Sequence, residues 1–171
     1  LTKVTLPNSN TVTYKYDGVG RRIQQVTPTT TINYAYDGEN VLLEEDATYN
    51  TTTTYTHGPG AVGYIIARRD ASGTADYYYH YNHIGSIKNL TDAQQGVIFT
   101  YSYDAFGNVL SESGSSTNVY KFQTKEWDGG VGLYYSRARY YDPSIGRFIS
   151  KDPRVSGEYY TSLQGLSSQG K

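Results

Sequence analysis

The 171-residue sequence predicts an all-β fold built as an array of antiparallel β-hairpins. Three observations lead to this prediction. Thr, Val, Ile and Tyr alternate in short runs such as TVTYKY and TTTINYAY, a pattern that suits a pleated strand with two different faces. Turn signals made of Asp or Asn and Gly follow these runs. Helical periodicity is missing from nearly the whole chain.

A repeated motif accounts for the spacing of the turns. Tyr-x-Tyr-Asp/Asn followed by Gly occurs in four segments, YKYDGVGRR (14–22), YAYDGENVL (34–42), YHYNHIGSI (79–87) and YSYDAFGNV (101–109). A degenerate fifth copy, YTHGPGAVGYI, begins at Tyr55 in the long gap. Asp or Asn at the start of a turn bonds back to the backbone and Gly tolerates positive φ, so each copy predicts one hairpin. Residues 1–110 are therefore predicted to be a five-hairpin array.

Tyrosine dominates the aromatic residues, with 20 Tyr against four Phe and one Trp. Tyr buries a large ring but keeps a hydroxyl that needs a partner or water. The Tyr and Asp residues of the motif are accordingly predicted to be structural, with rings packed across neighbouring strands and carboxylates fixing the turns. They are poor candidates for catalysis.

Composition argues against several classes of function. With 15 Lys+Arg, 16 Asp+Glu and a net charge of -1, the chain has no basic excess to neutralise phosphates, so nucleic acid is not a predicted partner. No cysteine is present to form disulfides or thiolate metal sites. The three histidines, His57, His80 and His83, lack the spacing of a metal site, and we predict no metal and no cofactor. No apolar run is long enough to span a membrane.

Two further features bear on where the protein resides. The chain contains no Met and opens in the middle of a strand pattern, which predicts a segment excised from a longer precursor. Asn50 and Asn89 each begin an Asn-x-Thr sequon, so both are predicted glycan acceptors. Glycosylation would require surface loops outside the cell, and the predicted location is therefore extracellular or at the cell surface.

The repeats resemble the YD repeats of Rhs proteins, of the C component of bacterial Tc toxins and of teneurins. The stretches YYYHYNHIGSIKNLTDAQQGVIFTYSYDAFGNVLSESG (77–114) and YKFQTKEWDGGVGLYYSRARYYDPSIGRFISKDP (120–153) resemble the Rhs-associated core that closes such arrays. The resemblance implies one β-sheet that spirals into a hollow shell around a toxic C-terminal segment, with the core as a plug. It divides the chain into a repeat array (1–110), a Ser-rich linker (111–118), the core (119–153) and a tail (154–171).

The same resemblance implies a candidate catalytic site. In family members that release their cargo, the core cuts the chain just downstream through an aspartyl-protease-like site. Matching by motif assigns Asp142 and Asp152 as the carboxylates, with Arg139 tuning them. Two carboxyl groups that share a proton can act as base on a water and as acid on the scissile amide.

A structural interpretation of this segment stays open. Asp-Pro begins many turns, and Arg137, Arg139 and Arg147 could neutralise and brace a turn with bidentate bonds. The sequence also departs from the family after the second Asp-Pro. There RVSGEYYTSLQGLSSQGK (154–171) lacks the Gly-rich stretch with Asn-Pro and Asp-Pro that ends at the cut in other members.

Two functions are consistent with these patterns. The chain is either the carboxy-terminal part of a shell that encloses a toxin, or a subunit of an extracellular filament joined through sheet edges, which need covering in any open sheet. The predicted partners are other YD-repeat segments of the same precursor, identical subunits and an enclosed toxin. Enzymatic activity, if the chain has any, would be self-cleavage by the core.

Overall fold

The computed structural model describes residues 1–60, 62–71, 73, 76–114 and 118–152. The predicted tail, 154–171, lies outside the described residues. Within them, eleven strands form one sheet in which each strand pairs antiparallel with its neighbours in sequence. They are β1 (Lys3–Thr5), β2 (Thr11–Tyr16), β3 (Arg22–Val26), β4 (Thr31–Asp37), β5 (Asn40–Glu45), β6 (Thr51–His57), β7 (Ile65–Asp70), β8 (Asp76–Tyr81), β9 (Ile87–Thr91), β10 (Val97–Tyr103) and β11 (Val109–Gly114).

A second, smaller sheet follows. Its four antiparallel strands are β12 (Glu126–Asp128), β13 (Leu133–Ser136), β14 (Arg139–Asp142) and β15 (Arg147–Phe148). A short 3-10 turn, Phe122–Thr124, precedes them. No helix among the described residues is long and apolar enough to cross a membrane.

The predicted all-β array of hairpins is confirmed. The five motif copies are the hairpins β2–β3, β4–β5, β6–β7, β8–β9 and β10–β11, and the degenerate copy from Tyr55 forms the third of them. The Ser-rich composition was misleading at the end of the array, because residues 111–114 belong to β11 rather than to a linker. They pair with β10, where the hydroxyls of Ser102 and Ser111 lie 2.5 Å apart on the exposed face.

In most of the turns an aspartate or asparagine side chain accepts hydrogen bonds from the turn backbone, as the motif predicts. Asp17 Oδ1 accepts hydrogen bonds from the backbone N–H groups two and four residues later, and Asn82 and Asp104 do the same. Asp46 and Asp92 repeat this geometry at the opposite end of the sheet, outside the motif. Hydrogen bonds from Thr48 and Asn50 lower the pKa of Asp46 to about 2. The same turn chemistry thus shapes both ends of the strands.

Every hairpin also carries a β-bulge at the same place. In each return strand the register shifts directly after the residue that pairs with the second aromatic position of the motif, so that one extra residue of the return strand has no partner. These extra residues are exposed, and they are Ile23, Leu42, Ile66, Lys88 and Leu110. A bulge bends its strand and increases the local twist. Five bulges in register therefore bend the array along one line.

The two aromatic positions of the motif have different roles. The first is always buried, as Tyr14, Tyr34, Tyr55, Tyr79 and Tyr101. The second is half-buried, and in the second to fifth copies it bonds to a backbone carbonyl of the preceding hairpin. In the first copy Tyr16 donates to the carbonyl of Leu1 instead.

The second-position bonds follow one pattern. Tyr36 donates its hydroxyl to the carbonyl of Arg22 at 2.7 Å, and Tyr103 donates to the carbonyl of Ile87 at 2.9 Å. His57 occupies this position in the degenerate copy and places Nε2 2.8 Å from the carbonyl oxygen of Val41. A carbonyl can only accept, so Nε2 of His57 carries the proton. These side chains tie each hairpin to the one before it.

Candidate functional site

The junction between the two sheets is built around a fully buried arginine at the start of β3. Arg22 forms an ion pair with Glu126 of β12 and donates to the hydroxyl of Tyr34 at 3.1 Å. Its guanidinium lies 4.3 Å from the ring centroid of Tyr135 and 4.9 Å from that of Tyr34. Burial lowers the pKa of Arg22, but the Glu126 carboxylate and the hydroxyls of Tyr34 and Tyr140 together outweigh burial and hold this pKa above its ordinary value. The cation therefore joins the core sheet to the repeat array.

A buried carboxylate makes a second connection at the same junction. Asp128 of β12 accepts hydrogen bonds from the hydroxyl of Tyr14 at 2.5 Å and from Nε2 of Gln25 at 2.9 Å. Burial raises the pKa of this carboxyl, while the Tyr14 hydrogen bond opposes the rise. These hydrogen bonds tie the first hairpin to the core. The sequence predicted strands and turns for these residues but not their contact with the core.

A buried carboxyl of the array lies near the same charges. Glu44 on β5 accepts from the hydroxyl of Tyr55 at 2.8 Å. Burial, followed by repulsion from Glu126, raises the pKa of Glu44 to about 7. The sequence gave no signal for this, because Glu126 is 82 residues away along the chain.

One core strand reaches both ends of the array. The hydroxyl of Tyr135 accepts from the backbone N–H of Arg22 at 2.9 Å, while the neighbouring Tyr134 donates to the carbonyl of Gly107 at 2.9 Å. Gly107 lies in the β10–β11 turn and Arg22 begins β3. Seven inter-strand steps separate β3 from β10, about 34 Å on a flat sheet. Side chains of adjacent residues, whose Cα atoms are about 3.8 Å apart, cannot span that distance, so the array must curve around the core.

Further bonds fix the core to the last hairpin. Tyr141 donates to the carbonyl of Phe106 at 2.8 Å, and Asn108 donates its amide to the carbonyl of Pro143 at 3.0 Å. The ring of Phe122 packs on Tyr103 and Tyr134. The core sheet therefore occupies the inner side of the curved array and contacts its first and last hairpins.

The predicted catalytic residues lie on the outer part of this core. Arg139 Nη2 is 3.1 Å from Asp152 Oδ2, and the Arg139 guanidinium lies 3.7 Å from the centroid of the Phe148 ring. Asp142 uses Oδ1 to accept from the backbone N–H of Ser144 at 2.8 Å and from its hydroxyl at 2.6 Å. Asp142 thus fixes the Asp-Pro turn that leads to β15.

The geometry of β14 keeps the side chains of Arg139 and Asp142 apart. Side chains alternate between the faces of a strand, so Arg139 and Asp142, three residues apart, point to opposite faces. The structure brings Arg139 and Asp152 together and leaves Asp142 in the turn. Arg137, one of the other predicted bracing arginines, forms an exposed ion pair with Glu39 of the second hairpin at 2.9 Å.

The two predicted glycan acceptors lie in different settings. Asn50 is exposed in the β5–β6 turn, where its amide donates to Asp46 Oδ2 at 3.1 Å. Asn89 lies within β9, and its amide donates to the hydroxyl of Thr100 at 2.9 Å. Only Asn50 is in a surface turn of the kind that the sequon predicts.

Comparison with protein families identifies two matching regions. The family model for the teneurin YD-shell matches residues 50–164, and the model for the RHS repeat matches residues 1–32. Together these matches confirm the predicted resemblance to YD-repeat and Rhs-repeat proteins.

Curated relatives are much longer than this chain. "tRNA nuclease WapA" of Bacillus subtilis is 39% identical over 146 residues, which cover 82% of this chain and 6% of the relative. "Salivary gland surface protein 1" of Aedes aegypti is 33% identical over 130 residues, covering 67% and 4%. "Double-stranded DNA deaminase toxin A" of Burkholderia cenocepacia is 25% identical over 170 residues, covering 82% and 12%.

Solved structures share the fold over nearly the whole chain. A crystal structure of TcdB2-TccC3-Cdc42 matches with a TM-score of 0.69 and 26% identity, covering 90% of this chain and 8% of that one. A structure of the Photorhabdus luminescens Tc holotoxin pore matches with a TM-score of 0.70 and 26% identity, covering 91% and 8%. The chain therefore corresponds to a small part of each of these larger proteins.

Proposed function

This chain belongs to the teneurin YD-shell family, and from that premise we propose that it forms the closing end of a β-shell that encloses a toxic polypeptide of its own parent protein. The names of the relatives, a tRNA nuclease, a double-stranded DNA deaminase toxin and a Tc holotoxin, support a toxic cargo. Because the chain spans only 6% of the nuclease relative, the nuclease activity is not assigned to it. Its own role in this proposal is that of a container.

The observation that carries the proposal is the curvature imposed by β13. Tyr134 and Tyr135 hold the last and first hairpins to one core strand, so the array bends around the core instead of lying flat. A curved sheet closed on its inner side by a plug is the geometry that a container end requires. The buried pairs of Arg22 with Glu126 and of Tyr14 with Asp128 keep that plug in place.

A second proposed role is self-cleavage by the core, for which the Arg139–Asp152 ion pair is the favourable observation. Asp142 and Asp152 would share one proton. One carboxylate would take a proton from the attacking water, and the other carboxyl would protonate the amide nitrogen that leaves. Because Asp142 now bonds to Ser144, this role requires that carboxylate to leave its turn.

A filament subunit is the competing proposal. Among the described strands, β1 and β11 each pair on one side only, so both edges could accept a further strand. In the shell, adjoining repeats of the same precursor would cover the β1 edge. Either assembly would act outside the cell or at its surface, with a glycan at Asn50 in a glycosylating host.

Enclosure is tested with the parent protein that contains this chain and its native flanks. The downstream segment should resist added protease while the shell is intact and become sensitive in Arg22→Met, which leaves Glu126 unpaired inside the junction. Arg21→Met is the matched control, since Arg21 belongs to a partly exposed pair with Asp17. If protease digests the downstream segment of the native parent as fast as that of Arg22→Met, the segment is not enclosed. Concentration-dependent fibres of the native chain would favour the filament.

Self-cleavage is tested on the same parent by intact mass. Asp142→Asn and Asp152→Asn should each leave the chain whole if both carboxylates act, whereas the native parent is cut downstream of residue 152. Asp17→Asn is the control, because Asn82 shows that Asn can hold this kind of turn. An uncut native parent, or continued cutting in both core variants, would rule the proposed site out.

A further inference from the structure

The core sheet has two different faces. Tyr135 and Tyr140 lie on one of them and contact Arg22 of the array. On the other face each strand contributes one aromatic side chain, and each of these residues is paired directly with the next across the sheet. This aromatic row consists of Trp127, Tyr134, Tyr141 and Phe148. Its rings are in contact at both ends, with centroids 4.7 Å apart in the first pair and 5.5 Å apart in the last pair.

The rest of the described chain buries only the middle of this aromatic row. Tyr134 is fully buried, because Phe122 packs on its ring and its hydroxyl reaches the carbonyl of Gly107. Tyr141 and Phe148 are only half-buried, and β15, which carries Phe148, pairs with β14 alone among the described strands. A groove of about 250 Å³ lies beside these two rings, and it is lined by Ala105, Phe122, Gln123, Lys125, Tyr141 and Phe148. The outer end of the row therefore has room for further side chains.

The chain leaves the core sheet on this same face. Arg139 lies two residues before Tyr141 on β14, so its side chain shares the face of the aromatic row. Its guanidinium lies 3.7 Å from the ring centroid of Phe148 and pairs with Asp152 at 3.1 Å. Asp152 is the last described residue. The segment that follows therefore starts beside the half-buried end of the row.

That segment contains side chains that suit the groove. It lies outside the described residues, and its sequence is RVSGEYYTSLQGLSSQGK (154–171). Its aromatic residues, Tyr159 and Tyr160, come seven and eight positions after Asp152. Because an extended chain rises about 3.3 Å per residue, seven residues reach about 23 Å. The aromatic row spans three inter-strand steps, about 14 Å, so both tyrosines can reach every part of it.

The geometry favours this segment over a second copy of the chain as the occupant. A segment tethered by a few residues has an effective concentration on the order of 1 mM, whereas a second copy is present only at the concentration of the protein. The Arg139–Asp152 pair shortens the tether, because it fixes the last described residue close to the groove. The segment therefore competes successfully with other copies at micromolar protein concentrations.

We propose that residues 154–171 fold back on the core and place Tyr159 and Tyr160 against Tyr141 and Phe148. Edge-to-face and offset ring contacts would extend the aromatic row, and the two phenol hydroxyls would stay in water at the rim of the groove. The docked segment holds the start of the downstream polypeptide on the core, beside the Arg139–Asp152 pair. This contact depends neither on enclosure nor on self-cleavage.

The first test follows amide hydrogen exchange by mass spectrometry in the whole 171-residue chain. Docking should slow exchange in residues 155–164 roughly tenfold or more relative to the same sequence without structure. The double variant Tyr159→Ser with Tyr160→Ser should exchange at the unprotected rate in this segment. Tyr49→Ser is the matched control, because Tyr49 is an exposed turn tyrosine of the array and its loss should leave the segment protected.

NMR of the same chains identifies the surface that the segment covers. The ring signals of Tyr141 and Phe148 should shift in the double variant, whereas those of Tyr55, buried in the array, should not. Phe148→Leu should release the segment from the core side. If Phe148→Leu does not fold, the double variant still decides the question, because it changes no described residue.

Three results would overturn the proposal. The first is unprotected exchange of residues 155–164 in the native chain. The second is protection that persists in the double variant, which would mean that the backbone of the segment pairs with an edge such as β15 and that its rings are not needed. The third is a shift of the Tyr141 and Phe148 signals that follows protein concentration and not the double variant, which would assign the row to a second copy.

Discussion

The repeat array and the core sheet are both antiparallel and rich in tyrosine, yet they are stabilised in different ways. In the array, each strand pairs with its neighbour in sequence, and the second-position side chains of the second to fifth copies bond to the hairpin before them. In the core, buried groups pair with residues about a hundred positions away, such as Glu126 with Arg22. The array is therefore stabilised by repeated contacts between segments that are close in sequence. The core is stabilised by single contacts between residues that are far apart in sequence.

This difference predicts in which region a single substitution destabilises the fold most. A repeated hydrogen bond can be lost in one hairpin while its counterparts remain in the others. The Arg22–Glu126 pair has no counterpart in the other hairpins, where the residue after the turn is Val41, Ile65, Ile87 or Val109. Substitutions at the junction should therefore cost more than equivalent substitutions within the array.

The largest effect is expected at the buried arginine. Arg22→Met removes the cation that pairs with Glu126 inside the junction, and the free energy of unfolding should fall by about 3–5 kcal/mol. The adjacent Arg21→Met removes a partly exposed pair and should cost less than about 1 kcal/mol. Urea denaturation of both variants gives the comparison, and equal losses would show that the junction is no more sensitive than the array.

A pH effect of intermediate size should arise from the carboxyl that faces the junction. Folded Glu44 keeps its proton up to about pH 7, whereas an unfolded Glu loses it near 4.5, so the folded state binds more protons between these values. The free energy of unfolding should therefore decrease as pH rises through that range, by on the order of 3 kcal/mol.

Glu44→Gln isolates this contribution. Denaturation curves of the native chain and the variant across the same pH range should diverge in slope, because the variant lacks the titrating group while the other carboxyls remain. Parallel curves would mean that Glu44 is ionised in the folded protein throughout.

Substitution of two glycines at the same turn position distinguishes the cost of backbone strain from the cost of a steric clash in the core. Gly20 and Gly107 both have positive φ, +87° and +95°, so Ala at either costs about 1–2 kcal/mol of backbone strain. A Cβ at Gly20 meets nothing within 4 Å, but at Gly107 it would lie 2.5 Å from the Phe122 ring. Gly107→Ala should thus destabilise by about 1–3 kcal/mol more than Gly20→Ala in thermal or urea unfolding. A matching loss in both would mean that Phe122 moves aside without cost.

The smallest effect is expected within the array. Tyr103→Phe leaves the carbonyl of Ile87 without its tyrosine donor and should cost about 1 kcal/mol. Tyr78→Phe is the control, because Tyr78 is 38% exposed, and its stability should be almost unchanged. If Tyr103→Phe were as harmful as Arg22→Met, the proposed contrast between array and junction would be wrong.

Sequence reasoning succeeded where the interactions are local. The five hairpins, their turns and the structural role of the motif Tyr and Asp residues follow from strand alternation and from the preferences of Asp, Asn and Gly in turns. The same reasoning misassigned residues 111–114, since Ser and Gly are common both in linkers and in exposed edge strands. It also overlooked Asp46 and Asp92, whose turns have Tyr49 and Gln95 at the positive-φ position instead of Gly.

For the candidate sites, too, the sequence predicted local contacts better than contacts between distant segments. The motif match singled out Arg139 and Asp152, which do form an ion pair, but the alternation of faces in β14 separates Asp142 from Arg139. Nothing in the sequence indicated that Arg22, in the first hairpin, would be buried against Glu126.

By itself the sequence determined that this protein is a five-hairpin β array with caged turns, because those features depend on interactions within about 20 residues. Only the tertiary structure decided how the array curves and which charges are buried. These features depend on the free energy of bringing distant segments together, and a buried charge is stable only beside a partner that the fold supplies.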